Sequence, residues 1–262
     1  MRIIDAHAHI FPDKIAVKAA ANIGKFYDIP MYTDAMASTL LCEGAKAGVE
    51  LFLVCSSAVT ADQTTHINDF IAQNCQEHPE FIGLGALHPD FEDIPGELDR
   101  MVEIGLKGVK FHNDFQKYPI DDEKAIPMYR EIAKRGLPIL LHMGDHRYDY
   151  SNPERLKNLM LRIPDLRVHA AHFGGWSVWD RVDCLPKDHD RLVFDTCSSL
   201  AFMDIEKAKR MIEHYGVEAF MFGTDFPMWN PQKEVERNLE LGLTSKENEL
   251  LFAQNFLRFY QM

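Results

Sequence analysis

Short apolar runs separated by stretches of helical spacing recur along nearly the whole chain, and this alternation constrains the fold more than any other feature. The runs are Arg2–Asp5, Leu51–Cys55, Phe81–Leu87, Gly108–His112, Pro138–His142, Leu166–Ala171, Leu192–Thr196 and Ala219–Gly223. Between them, Leu98, Met101, Val102 and Gly105 fit one helical stripe, and Ile126, Tyr129, Ile132 and Ala133 fit a second. Leu156, Leu159, Met160 and Ile163 form a third, opened by Ser151-Asn152-Pro153, a cap followed by proline in the first turn. Gly105, Gly136 and Gly216 read as helix closers. Strands alternating with helices pair in parallel. Eight repeats of roughly 30 residues predict an α/β fold, a (β/α)8 TIM barrel, as a single domain over residues 1–262. A doubly wound sheet is the rival, but it leaves unexplained why polar residues recur at so many strand ends. Phe11–Leu40 is too long for a simple connection and predicts a loop-helix excursion after strand 1, over the barrel mouth. Thr244–Met262 predicts a C-terminal helix packed outside, with Leu250, Leu251, Phe256 and Leu257 buried.

Charge narrows the function. Lys+Arg 28 against Asp+Glu 40 leaves a net charge of −12, which argues against a protein that grips a nucleic-acid backbone. No apolar run approaches the roughly 18 residues of a membrane span, and the N-terminus lacks a signal-peptide layout. Cys42, Cys55, Cys75, Cys184 and Cys197 form no C-x-x-C pair, so free thiols in a reducing compartment are expected, with Cys55 and Cys197 buried in their runs. The expectation is a cytoplasmic enzyme with a small-molecule substrate, no nucleic-acid or membrane partner, and a homodimer as the default assembly.

Polar residues at the C-terminal ends of barrel strands share one mouth. Those ends carry His7 and His9 on the first strand, His142 on the fifth, His172 after the sixth and Asp225 after the eighth. His7 and His9, two residues apart, face one side of their strand because strand side chains alternate. Any one of these imidazoles reads most simply as a buried, hydrogen-bonded histidine. Four imidazoles and one carboxylate together at strand ends read as a divalent-metal site, with zinc foremost and manganese or iron as alternatives.

The stretches IIDAHAHIFP, LPILLHMGD, PDLRVHAAHFGG and FGTDFP, with GLKGVKFHNDFQKYPIDD between them, make the chain resemble the amidohydrolase superfamily. The resemblance is to the amidohydrolase-related branch that includes aminocarboxymuconate semialdehyde decarboxylase, and it spans nearly the whole chain. It implies His7, His9 and His142 as metal ligands and Asp225 as ligand or general base. It implies His172 as a catalytic residue or a ligand of a second ion. In this branch one ion without a bridging lysine is usual, so Lys110, which shares a strand face with Gly108 and His112, is expected to meet substrate rather than metal. His112, Arg147 and Trp176 are further substrate-binding candidates, whereas His169 should face the helix layer as a structural residue.

The metal dictates the chemistry: a bound divalent ion acidifies water and polarises a carbonyl. The expected function is hydrolysis of a small amide, lactone or ester, Asp225 moving the proton and His172 steadying the developing negative charge. Non-oxidative decarboxylation of a small unsaturated or aromatic acid uses the same parts and is the alternative. A TatD-like nuclease is disfavoured, because strand four reads Lys107-Gly108-Val109-Lys110 without a glutamate. A non-catalytic binding protein would require a degraded site, and none of these residues is missing.

Overall fold

The structure is a computed structural model that describes residues Met1–Met262. Nine strands are formed: β1 (Ile4–His9), β2 (Leu51–Cys55), β3 (Phe81–Gly83), β4 (Gly85–Ala86), β5 (Val109–Phe111), β6 (Pro138–Leu141), β7 (Arg167–Ala170), β8 (Leu192–Asp195) and β9 (Phe220–Met221). The chain divides into two compact units, one of Met1–Cys55, Asn74–Ile82 and Thr196–Met262, the other of Ser56–Gln73 and Gly83–Asp195.

In the first unit β1 pairs in parallel with β2, with a register shift between Asp5 and Ala8. The strand begins and ends later than the apolar run predicted, because Ala8 and His9 pair with Val54 and Cys55. Both histidines therefore lie within the strand. The predicted excursion is present as a helix over Asp13–Tyr27 and a second over Ala37–Lys46. Ala16, Ala20 and Ala35 form its buried seam, covered by Phe11, Met31 and Met36.

The C-terminal segment opens with a Thr244–Glu247 capping box, as a helix start with this spacing should. It widens to a π turn over Leu250–Gln254 and continues over Asn255–Tyr260. Leu251 and Phe256 are buried as expected, but Leu250 and Leu257 are only half-buried. Asn255 takes the core position instead, donating to the carbonyls of Val217 (2.8 Å) and Phe220 (2.7 Å). The Leu251 carbonyl, released by the wider turn, accepts from the Phe222 N–H at 2.9 Å.

In the second unit β4, β5, β6, β7 and β8 pair in that order, each neighbour parallel. The single run expected at Phe81–Leu87 is broken at Leu84. Beyond the break Asn68 holds β4: its Oδ1 accepts from Ala86 N–H at 2.7 Å and its Nδ2 donates to Ala86 O at 3.2 Å. Gly85 leaves room for it, since a Cβ there would meet Met101 Cε at 2.3 Å and Asn68 Oδ1 at 2.9 Å. In the helix over Ile94–Glu103 the stripe holds at Leu98 and Met101 but not at Val102, which is 51% exposed. One residue past Met101 the side chain turns by about 100°, off the buried line. Pro153 opens the helix Pro153–Arg162 as predicted, but Asn152 makes no side-chain cap. Its Nδ2 donates to Asp149 Oδ1 (2.7 Å), and Ser151 donates to Asp114.

Candidate active site

The first unit builds its site on β1. Asp5, fully buried, staples this strand to the turn after β9: Oδ1 accepts from the N–H groups of His7 (3.0 Å) and Thr224 (2.9 Å), and Oδ2 from the Thr224 hydroxyl (2.5 Å). The Asp225 N–H donates to His7 O at 2.8 Å, and the His9 N–H to Phe226 O at 2.7 Å. Asp225 is held at a φ of +55°, which L-residues adopt only when surroundings impose it.

These restraints bring three donor atoms together. His7 Nε2 and His9 Nε2 lie 3.1 Å apart, with Asp225 Oδ1 3.8 Å from the first and 3.2 Å from the second. Imidazoles binding one zinc ion at about 2.0–2.1 Å place their nitrogens roughly 3.0–3.4 Å apart, so the set fits a divalent ion. Asp225 Oδ2 accepts from the Ser198 hydroxyl (2.5 Å), which in turn accepts from Trp229 Nε1–H (2.8 Å). On the far side of the rings sit two buried thiols. Cys197 Sγ is 3.3 Å from His7 Nδ1, and Cys55 Sγ is 3.6 Å from His9 Nδ1. Neither thiol is in a disulfide, as expected.

The second unit carries His142 one residue past β6, with its Nε2 3.1 Å from Gly144 O and 3.8 Å from Asp114 Oδ2. Its Nδ1 faces His172 Nε2 at 3.0 Å. His112 stacks on His142 (4.0 Å, 7°) and on Phe115 (3.7 Å, 8°), making a layered wall. His112, Asp114 and His142 are all buried, and their ligand atoms lie close enough together to hold an ion. Burial pushes the Asp114 carboxyl up to about 7, with the Ser151 hydroxyl opposing and Asp145 adding to the rise.

His172 follows β7 in a tight turn at a φ of +61°. Asp195 pins that turn by accepting the His172 N–H at 2.7 Å. The other Asp195 oxygen is 3.0 Å from His169 Nε2. The structure thus corrects the reading of His169 as a helix-layer residue: it faces a carboxylate, and burial, with Lys110 and His172 nearby, lowers its pKa. Lys110 is itself buried. Arg147 is gripped by Asp145 (2.9 and 2.6 Å) and lies over the rings of Tyr148 (5.4 Å) and Trp176 (6.0 Å). Arg147 and Trp176 are thus neighbours, and the Arg147 fork is already engaged by a carboxylate.

Asp195, Asp114 and Ser198 had escaped the sequence reading, and Cys55 and Cys197 were expected to be buried but not to stand behind the imidazoles. Asp195 and Cys55 end β8 and β2, so a strand-end position was the available signal for both; Asp114, Ser198 and Cys197 lie outside the strands.

The amidohydrolase family profile matches residues 4–262. The chain belongs to the amidohydrolase family. No curated relative matches it. Among solved structures it resembles an uncharacterised TIM-barrel protein of Bordetella bronchiseptica, with TM-score 0.80 and 17% identity over 100% of this chain and 99% of that one. It also resembles a Pseudomonas putida protein provisionally assigned as a 2-pyrone-4,6-dicarboxylic acid hydrolase (TM-score 0.71, 18% identity, 99% and 97% covered). A third likeness is to 5-carboxyvanillate decarboxylase of Novosphingobium aromaticivorans, solved with manganese and 4-hydroxy-3-methoxy-5-nitrobenzoic acid (TM-score 0.76, 15% identity, 100% and 96% covered). These likenesses bear out the TIM-barrel fold class. No helix is long and apolar enough to cross a membrane.

Proposed function

We propose that this amidohydrolase is a metal-dependent hydrolase of a small amide, lactone or ester. The observation that carries the reading is the convergence of His7 Nε2, His9 Nε2 and Asp225 Oδ1 in the first unit. The family resemblance adds His142 as the fourth ligand. Three imidazoles and one carboxylate suit zinc, and manganese, present in the carboxyvanillate decarboxylase, is the alternative. One ion suffices for this set, and Lys110 is kept for substrate.

When bound, the ion supplies Lewis acidity, polarising a carbonyl and acidifying water. The protein's own groups do the rest. Asp225, its Oδ2 tied down by the Ser198 hydroxyl, accepts a proton and later delivers it to the leaving group. His172, its turn pinned by Asp195, steadies negative charge developing on the substrate oxygen. Lys110, His112, Arg147 and Trp176 are proposed to meet the substrate, cations serving a carboxylate on it.

Decarboxylation of a small unsaturated or aromatic acid is the second reading, supported by the presence of 5-carboxyvanillate decarboxylase among the structural likenesses. There Asp225 delivers its proton to the carbon that loses CO₂. Metal analysis of the purified protein, followed by assays with zinc or manganese, tests both. Ring opening of 2-pyrone-4,6-dicarboxylate or cleavage of small amides and esters supports hydrolysis. CO₂ release from 5-carboxyvanillate or related hydroxybenzoic acids supports the second reading. A protein that takes up no divalent ion and turns over none of these refutes both.

A further inference from the structure

A histidine that binds a metal through one nitrogen must carry its proton on the other, and the partner of that second nitrogen selects the tautomer. The usual partner is a carboxylate, a backbone carbonyl or a water. At β1 it is sulfur. Cys197 Sγ faces His7 Nδ1 and Cys55 Sγ faces His9 Nδ1, and all four residues belong to the first unit.

At Cys55 the S–H has a backbone carbonyl to donate to, Ala8 O at 3.5 Å, and donation there turns only sulfur lone pairs toward His9. The Nδ1 of His9 must then be the donor, and its Nε2 is left with the lone pair that a metal needs. Cys55 lies within ligand reach of His7 and His9, but the contact of each sulfur is with Nδ1, the nitrogen that faces away from the Nε2–Asp225 convergence, and this favours an outer role. Both thiols are fully buried.

From this geometry we infer that Cys55 and Cys197 are positioning residues that hold His9 and His7 as Nδ1–H tautomers, ready to bind a divalent ion through Nε2. The inference rests on the metal-binding reading proposed above. Sulfur is a weaker acceptor than a carboxylate. It orients the rings without adding buried negative charge where Asp5 and Asp225 already stand.

The test is the affinity for Zn²⁺, measured by chelator competition, of Cys55→Val, Cys197→Val, Cys55→Ser and Cys197→Ser. Valine fills the space but accepts no hydrogen bond; serine restores an acceptor. The valine variants are expected to bind Zn²⁺ about 10–100-fold more weakly, the range for lost outer partners. The serine variants should recover most of that loss, with thermal unfolding showing that each variant folds. Folded valine variants with wild-type affinity would overturn the inference while leaving the metal reading intact. A wild-type protein that binds no Zn²⁺ or Mn²⁺ would overturn both. The spectrum of the Co²⁺-loaded protein adds a check on position. Absence of a thiolate charge-transfer band agrees with the outer role, and a band lost in a serine variant would make that cysteine a ligand and refute it.

Discussion

The two units support their imidazoles differently. In the first, His7 and His9 are backed by thiols, and their outward nitrogens are the Nε2 atoms that meet Asp225. In the second, His142 is backed through Nε2 by the Gly144 carbonyl, which leaves Nδ1 facing His172. His172 is oriented through its backbone, by Asp195 on its N–H. The lesson is that the same residue type offers opposite nitrogens according to what stands behind it. A histidine motif therefore specifies a metal site only once its outer partners are known.

The largest effect expected from this contrast is at the first unit. His9→Ala should lower Zn²⁺ affinity more than about 100-fold, beyond the loss of an outer partner, and abolish turnover. His172→Ala in the second unit should keep the ion while costing about 10²–10⁴ in kcat, as for loss of an acid–base group. Metal content measured beside kcat breaks the comparison if it is His172→Ala that loses the ion.

Gly144→Ala tests the carbonyl behind His142. Gly144 has a φ of +80°, and a Cβ would meet Gly175 C and the Trp176 N and O at 2.6 Å. Backbone cannot yield as a flexible side chain does, so a destabilisation of about 2–4 kcal/mol is expected. Chemical denaturation reads it, and wild-type stability would show that the carbonyl is not rigidly placed.

The mildest effect concerns charge. Glu234 in the first unit is fully buried and its carboxyl is pushed up to about 7, by burial first, with Asp225 and Asp5 adding and Arg237 opposing. A carboxyl raised on folding stabilises the protein at pH below its unfolded value of 4.5, and that contribution fades as pH rises to about 7. In the metal-free protein the fading amounts to on the order of 3 kcal/mol. Glu234→Gln should flatten the fall of Tm between pH 5 and 7. An unchanged slope would mean that the Arg237 ion pair keeps Glu234 charged throughout.

Much of this was legible in the sequence. The runs from Leu51–Cys55 to Ala219–Gly223 appeared as strands, shortened or split, because backbone periodicity is local. His7 and His9 were legible as a pair because two residues along a strand return to the same face. Two misjudgements had tertiary causes. Phe81–Leu87 split because Phe81–Gly83 pairs in the sheet of β1 and β2 whereas Gly85–Ala86 pairs with β5 in the other sheet. His169 turned to Asp195 because burial of an imidazole demands a partner, and which partner depends on β8 lying beside β7.

The sequence by itself determined the parallel α/β plan, the family and the strand-end candidates His7, His9, His142, His172 and Asp225, because these follow from periodicity and residue type along the chain. Only the tertiary structure decided which ring nitrogen faces which partner, that Cys55 and Cys197 stand behind His9 and His7, and that Asp225 turns Oδ1 toward the imidazoles. Those choices are angles and distances between residues up to 219 positions apart, as Asp5 to Thr224 shows. A tautomer turns on shifts of tenths of an ångström, and no one-dimensional pattern records them.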